Sequence, residues 1–193
     1  VYSGGDDFVV VGAWDRVFKF ADELSSQWEG LMPEGERLTF SAGVQITNPQ
    51  YPIYEGIDQA LRLLKNAKEE GRNRIDVMGV VMEWGTYREA LEKAKWFKDQ
   101  VRDRDNQEGP ITIGFLYRMY DILEQYNKWH TDRDPIGLQY ASQLATHIQR
   151  NIKDNPAGDE VKACLQPLLK VGDETLLPHF RFILDWVVLM KRD

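Results

Sequence analysis

Apolar residues along this chain recur with mixed periods over its first part and, past residue 85, almost entirely with the period of a helix. Phe8, Val9, Val10 and Val11 form a continuous apolar run, which predicts a buried strand over 8–12. Trp14 and Asp15 open a helix with Asp15 as N-cap, and Val17, Phe18, Ala21 and Leu24 give it an apolar stripe. Gly30, Pro33 and Gly35 stop it. Residues 38–46 read as a second strand, in which Gly43 marks a place where a side chain would be in the way. Pro49 and Pro52 punctuate the loop that follows. A strong helix over 54–70 presents Ile57, Leu61 and Leu64 on one face and stops at Gly71. A short strand over 73–78 and a connector over 79–85 containing Trp84 complete a strand–helix–strand–helix–strand order, the signature of helices layered on a sheet.

Beyond Gly85, Thr86 followed by Glu89 forms a capping box, and five helical stripes follow. They run through Tyr87, Leu91, Ala94 and Val101; through Ile113, Leu116, Tyr117, Tyr120 and Leu123; and through Leu138, Ala141, Leu144, Ala145 and Ile148. The fourth, Val161, Cys164, Leu165 and Leu168, is bent by Pro167, and the last holds Leu177, Phe180, Ile183, Leu184, Val187 and Val188. A charged break covers 103–110. The pattern divides the chain into an α+β unit over 1–85 and an all-helical bundle over 86–193.

Composition narrows the classes. The chain has 193 residues and a formal net charge of −7, so it is not built as a whole to coat itself in nucleic acid. Contact with RNA or DNA has to come from a local basic patch, for which Lys93, Lys95, Lys98, Arg102 and Arg104 are candidates, or from partner chains. No apolar run approaches the ~20 residues that span a bilayer, and no secretory signal pattern is present. The single cysteine, Cys164, forms no internal disulfide and is consistent with a reducing cytoplasm. His130, His147 and His179 are scattered without paired ligand spacing, which points away from a histidine metal site. There is no Gly-x-x-x-x-Gly-Lys phosphate loop. The chain starts at Val1, almost on its first turn, and the expectation is a longer protein in which a partner strand precedes Val1.

The candidate chemistry lies at Ser3, Gly4, Gly5, Asp6 and Asp7. The two glycines suit a tight turn and a close backbone approach. The adjacent acids are harder to place. Side chains on a strand alternate faces, so two neighbouring acids do not both sit comfortably on a buried sheet unless something cationic holds them. A divalent metal bound to phosphates is the simplest such cation. A solvated turn needs no metal, and on these residues alone both readings stay open. A second signal lies at the end of the long helix. Lys68 continues the line of Ile57, Leu61 and Leu64, where a lysine near a sheet edge is placed to meet a polyphosphate. Cations at a helix C-terminus also complement its dipole, and that plainer reading stands beside the first.

In order and spacing, Gly4-Gly5-Asp6-Asp7-Phe8, then Ser41-Ala42-Gly43-Val44, then Ala67-Lys68 and Gly71-Arg72-Asn73-Arg74 resemble the palm of GGDEF-type nucleotide cyclases. Closer still, they are similar to the large subunit of type III CRISPR RNA-guided effector complexes, of the Csm type. Asp7 stands where diguanylate cyclases usually carry Glu, Tyr51-Pro52-Ile53 precedes the long helix, Trp84 follows the palm, and a helical region closes the chain. The resemblance implies a partial ferredoxin-like cyclase or polymerase palm that joins ATP into cyclic oligoadenylate when target RNA is bound. It implies Asp6 and Asp7 as ligands of Mg²⁺ (or Mn²⁺), Ser3, Gly4 and Gly5 against the nucleotide, and Lys68 and Arg72 on the triphosphate. Its implied partners are CRISPR RNA, target RNA and other effector subunits, in the cytoplasm, with no membrane. A further acidic ligand on an earlier strand, the family's second palm and its HD nuclease domain are expected to lie outside these residues, and the segment alone is expected to be inert. The rival readings are a stand-alone diguanylate cyclase and a scaffold subunit whose palm has lost activity.

Overall fold

A computed structural model describes residues 2–4, 7–31, 38–103, 106–169 and 176–191. The chain divides into two compact units, Val1–Glu89 and Ala90–Asp193.

The first unit opens with a hairpin. β1 (Tyr2–Gly4) pairs antiparallel with β2 (Asp7–Val9), with Ser3 opposite Phe8 and Gly4 opposite Asp7. Gly5 and Asp6 lie between them, outside the described residues. This corrects two expectations. The partner strand is β1, within the chain, and β2 is not buried: Phe8 is 40% exposed and Val11 61%. Among the described residues the hairpin forms a sheet of its own, with no third strand paired to it. α1 (Trp14–Leu31) follows. The Ala13 carbonyl accepts the amides of Arg16 and Val17, both at 3.0 Å, so the turn is closed by Ala13, and Asp15 sits within it rather than capping it. An acid there still favours the positive end of the helix dipole.

The three-stranded sheet is mixed. β3 (Ala42–Val44) pairs parallel with β4 (Arg74–Val77), which pairs antiparallel with β5 (Val80–Glu83). α2 (Ile53–Glu69) makes the crossover from β3 to β4. Gly43 explains how closely they approach: a Cβ on it would lie 2.3 Å from the Leu64 amide nitrogen and 2.4 Å from the Ala60 carbonyl oxygen. The helix backbone rests on the strand there, which only glycine permits. The face that α2 buries differs from the expected one. Ala67 is fully buried whereas Leu61 is 45% exposed. The sheet contributes Val44, Ile75, Val77, Val80 and Met82 to the core.

The connector expected over 79–85 is instead the end of a turn, the strand β5 and the start of a helix. Met78 and Gly79 both have positive φ, 51° and 90°, and form a two-residue turn between β4 and β5. Positive φ at both central residues matches the right-handed twist of paired strands. Asp76 clamps the turn by accepting the Gly79 amide at 2.8 Å. α3 (Trp84–Gln100) then begins directly after β5, so Thr86 and Glu89 lie inside the helix and form no capping box. Trp84 is buried, and its indole N–H donates to the Phe40 carbonyl at 2.9 Å. The Tyr87 hydroxyl donates to the Phe18 carbonyl at 3.2 Å, and Arg88 reaches Asp22 at 3.1 Å and Ser25 at 2.8 Å, which ties α3 to α1.

The second unit is mainly helical but not wholly so. β6 (Val101–Arg102) and β7 (Ile111–Thr112) pair in parallel across the charged break. Asp103, within that break, is paired with Lys191 near the other end of the unit. α4 (Ile113–Asp132) is capped by the Thr112 hydroxyl, which accepts the Phe115 amide at 3.2 Å. α5 (Gln139–Asn151), α6 (Pro156–Leu165) and α7 (Leu176–Met190) follow, and Pro167 falls in the 3₁₀ turn Gln166–Leu169 that ends α6. Phe97, Ile111, Leu116, Leu144, Val161 and Phe182 are among its fully buried side chains. Tyr117 and Leu138, expected on apolar stripes, are 46% and 42% exposed.

Candidate functional site

The described residues singled out by composition and spacing are distributed over three elements of the first unit and the turn after the last of them. Ser3 and Gly4 lie on β1, and Asp7 is the first residue of β2. Gly5 and Asp6 lie outside the described residues. Lys68 sits in the last turn of α2. The fold brings its ammonium to the hairpin: Lys68 Nζ lies 3.2 Å from Asp7 Oδ1. The two side chains are 38% and 59% exposed, so both groups remain open to a ligand. An ion pair this solvated contributes only about 0.2–1 kcal/mol to folding.

Arg72 is not drawn into that contact. Its side chain is exposed and its backbone is left-handed, with φ 58°, as is that of Asn73 at 52°, after Gly71 at 131°. The Arg72 amide donates to the Ala67 carbonyl at 3.1 Å. Three successive left-handed residues end α2 abruptly and turn the chain back into β4; two of them lack glycine's freedom, so the turn holds local strain. Arg74, next in line, is engaged with Glu83 across the β4–β5 pair at 3.1 Å.

An aromatic column anchors the hairpin. The Phe8 ring stacks on Phe40 at 6.3 Å between centroids, and Phe40 stacks on Trp84 at 5.5 Å. Phe20 of α1 meets Phe8 edge-on. Nothing in the local pattern marks Phe40 for this role, because it depends on three separate segments converging.

Among the described residues no three His, Cys, Asp or Glu side chains converge as a metal cluster. The Asp7 carboxylate is a hard oxygen donor in an exposed position. Mg²⁺ keeps several waters and is commonly held by one or two carboxylates plus substrate phosphates, so the donor chemistry fits. The softer candidates are engaged otherwise. His147 stacks on Phe115 at 4.3 Å, and its Nε2 lies 3.0 Å from the Phe115 carbonyl. Burial, with a lesser push from Arg118, lowers its pKa, so the ring is a neutral bridge between α4 and α5. It borders a polar cavity of about 310 Å³ lined by Arg118, Gln143 and Arg150 among others. Burial also lowers His179 and raises the Cys164 thiol, which keeps that thiol protonated. The His130 side chain and Arg104 are outside the described residues. Of the remaining basic segment, Lys95 is paired with Glu92 at 2.6 Å on the surface of α3.

The stretch holding the hairpin, β3, α2 and most of β4 matches a known family. The sequence profile of the Cas10/Cmr2 second palm domain covers residues 1–76. A CRISPR system single-strand-specific deoxyribonuclease Cas10/Csm1 (subtype III-A) from Thermococcus onnurineus is 37% identical over 163 residues, 78% of this chain and 20% of that protein. This chain belongs to the Cas10/Csm1 family. The family member of the same description from Mycobacterium tuberculosis is 47% identical over 127 residues, 65% of this chain and 15% of its own length. That from Enterococcus italicus is 31% identical over 125 residues, 64% and 16%. The chain thus spans a fifth or less of the curated family members it matches. No solved structure matches it at a significant level. The profile corrects one expectation: the second palm is not outside these residues, since residues 1–76 are the part that matches it.

Proposed function

We propose that residues 1–85 are the nucleotide-joining palm of a type III CRISPR effector subunit, which makes cyclic oligoadenylate from ATP when the complex binds target RNA. Residues 86–193 are its helical C-terminal domain. The observation that carries the reading is the meeting of Asp7 and Lys68. They stand 61 positions apart in sequence, yet a carboxylate suited to a metal and an ammonium suited to phosphate come within 3.2 Å, inside the stretch that matches a palm profile.

Nucleotidyl transfer needs little covalent help from a protein. A ribose hydroxyl attacks the α-phosphate in line and pyrophosphate leaves, so catalysis is mainly positioning and charge neutralisation. In this reading Asp6 and Asp7 hold Mg²⁺ (or Mn²⁺), and Ser3, Gly4 and Gly5 give the nucleotide a close backbone approach. Lys68, fixed at the end of α2, holds the triphosphate, and Arg72, exposed on the turn beyond it, adds a second cation. The bound metal supplies charge neutralisation at the phosphates. CRISPR RNA, target RNA and other effector subunits are the partners, and the cytoplasm is the compartment. No helix among the described residues is long and apolar enough to cross a membrane. The deoxyribonuclease named for the relatives is a property of proteins of which this chain covers a fifth or less, and no residue here is assigned to it.

The test is a chromatographic product assay on the assembled complex, supplied with ATP and with GTP. Cyclic oligoadenylate from ATP, lost on replacing Asp6 and Asp7 by Ala while the complex still assembles, supports the reading. Products from GTP alone would indicate a diguanylate cyclase. Synthesis that survives the double replacement would make the acids structural, and no synthesis from the unaltered complex would indicate a scaffold.

A further inference from the structure

We propose that Lys68 is the resident counter-ion of Asp7 and competes with the metal for the same carboxylate oxygen, so that metal and triphosphate each strengthen binding of the other. The inference rests on the reading of Asp7 as a metal ligand and adds to it a coupling between metal and triphosphate.

Three observations carry it. The first is the choice of partner. Other cations of α2 are paired along the helix: Arg62 with Asp58 at 2.7 Å and Lys65 with Glu69 at 3.6 Å, both four residues apart. Lys68 has no acid at the corresponding positions of its own helix, where Leu64, Lys65, Gly71 and Arg72 stand. Its ion pair runs across to the hairpin, to Asp7. The second is geometry. Nζ lies 3.2 Å from Oδ1, and a second cation at contact distance of the same oxygen is repelled by the ammonium, modestly in so exposed a place. The third is exposure. At 38% and 59% exposed, the pair is weak enough to exchange, and the flexible lysine stem allows the ammonium to leave while the helix stays in place.

The consequence follows from linkage. Without nucleotide, Asp7 is already neutralised and a divalent metal has to displace an ammonium to reach Oδ1. An arriving triphosphate offers Lys68 other oxyanions. Once the ammonium turns to them, Oδ1 is free for the metal, so each ligand favours the other to the same extent. Lys68 in this role is a positioning residue for the carboxylate as well as a phosphate contact.

The experiment titrates Mn²⁺ alone, with no nucleotide, into the full chain and follows free Mn²⁺ by electron paramagnetic resonance. Replacing Lys68→Gln is expected to tighten Mn²⁺ binding about 1.5- to 5-fold, the strength of an exposed ion pair converted to affinity. The same variant is expected to weaken binding of a non-hydrolysable ATP analogue. A contact to phosphate alone moves only the second quantity, so the opposite signs identify the exchange. Lys68→Arg keeps a cation at the position and is expected to behave as the unaltered chain with Mn²⁺. Lys65→Gln, one turn earlier, removes the same charge without touching Asp7 and is expected to change nothing. Unchanged or weaker Mn²⁺ binding in Lys68→Gln overturns the proposal, as does equal tightening in Lys65→Gln. Asp7→Asn separates the two levels. If it abolishes Mn²⁺ binding while Lys68→Gln has no effect, the counter-ion inference fails and the metal site stands. If it leaves Mn²⁺ binding intact, the assignment of Asp7 itself fails.

Discussion

The β1–β2 hairpin and the β3–β4–β5 layer belong to the same unit, yet they are held by different forces. In the layer, Ile75 and Val77 are fully buried and Met82 nearly so, with the backbone of α2 resting on Gly43. In the hairpin, Asp7 and Phe8 are exposed, and the described contacts that fasten it are the aromatic column and the ion pair to Lys68. The layer therefore carries stability and the hairpin carries the candidate chemistry. Close packing makes the first intolerant of change. Solvent access leaves the second free to exchange partners. The difference implies that substitutions separate cleanly into those that unfold the unit and those that silence it.

The most severe challenge to this contrast is Gly43→Ala. The added methyl would meet backbone atoms at 2.3 and 2.4 Å, which no rotamer change relieves. A loss of about 3 kcal/mol or more is expected in urea denaturation followed by circular dichroism. A loss below 1 kcal/mol would mean that α2 slides easily on β3 and that the layer is not the rigid part.

Gly79→Ala is expected to cost less. Nothing lies within 4 Å of the added atom, so the penalty is that of a φ of 90° alone, about 1–2 kcal/mol by the same measurement. Asp7→Asn comes next. Its exposed ion pair predicts a change within about 1 kcal/mol, together with loss of nucleotide-joining activity in the assembled complex. Large destabilisation by this change would erase the distinction between hairpin and layer.

The smallest effect is one of pH. Burial raises the Asp76 carboxyl above its ordinary 3.8, against the opposing bonds from the Gly79 amide and Asn66. Between 3.8 and that raised value the folded chain holds a proton that the unfolded chain has released. Stability from this group therefore falls as pH rises through that window, and the cost persists above it. Asp76→Asn keeps an acceptor for the Gly79 amide and removes the charge. Its urea midpoint, compared with that of the unaltered chain from about pH 4 to 7, is expected to lose this slope and to gain at neutral pH. His147 in the second unit acts in the opposite sense. Burial holds it neutral when folded, so its contribution is lost as pH falls below 6.5 through the lowered value. A variant of Asp76 with an unchanged slope would show that its carboxyl titrates in the folded chain as it does in the unfolded one.

What could be read from the residues alone follows the range of the interactions involved. α2 and β4 were legible because helical periodicity and a glycine stop are local signals, and Gly43 announced a close approach before its partner was known. β5 was missed because its turn uses Met78 with φ 51°, a conformation that a non-glycine residue does not advertise. The cap expected at Asp15 fell inside the helix because the Ala13 carbonyl accepts the first amides without help from a side chain. The predicted buried strand at 8–12 failed because an apolar run records what a segment can bury and not whether a neighbour arrives to cover it.

By itself the amino-acid order determined the inventory: a glycine pair beside an acid pair, a lysine closing a long helix, and a change of period past residue 85. These are properties of composition and of neighbours a few residues apart. Only the tertiary structure decided that Lys68 faces Asp7 and not an acid of its own helix, that Arg72 stands apart, and that three aromatic rings anchor the hairpin. The physical reason is that contacts between distant segments depend on how a crossover helix seats on a strand, and that seating is set at Gly43 by steric exclusion at one atom.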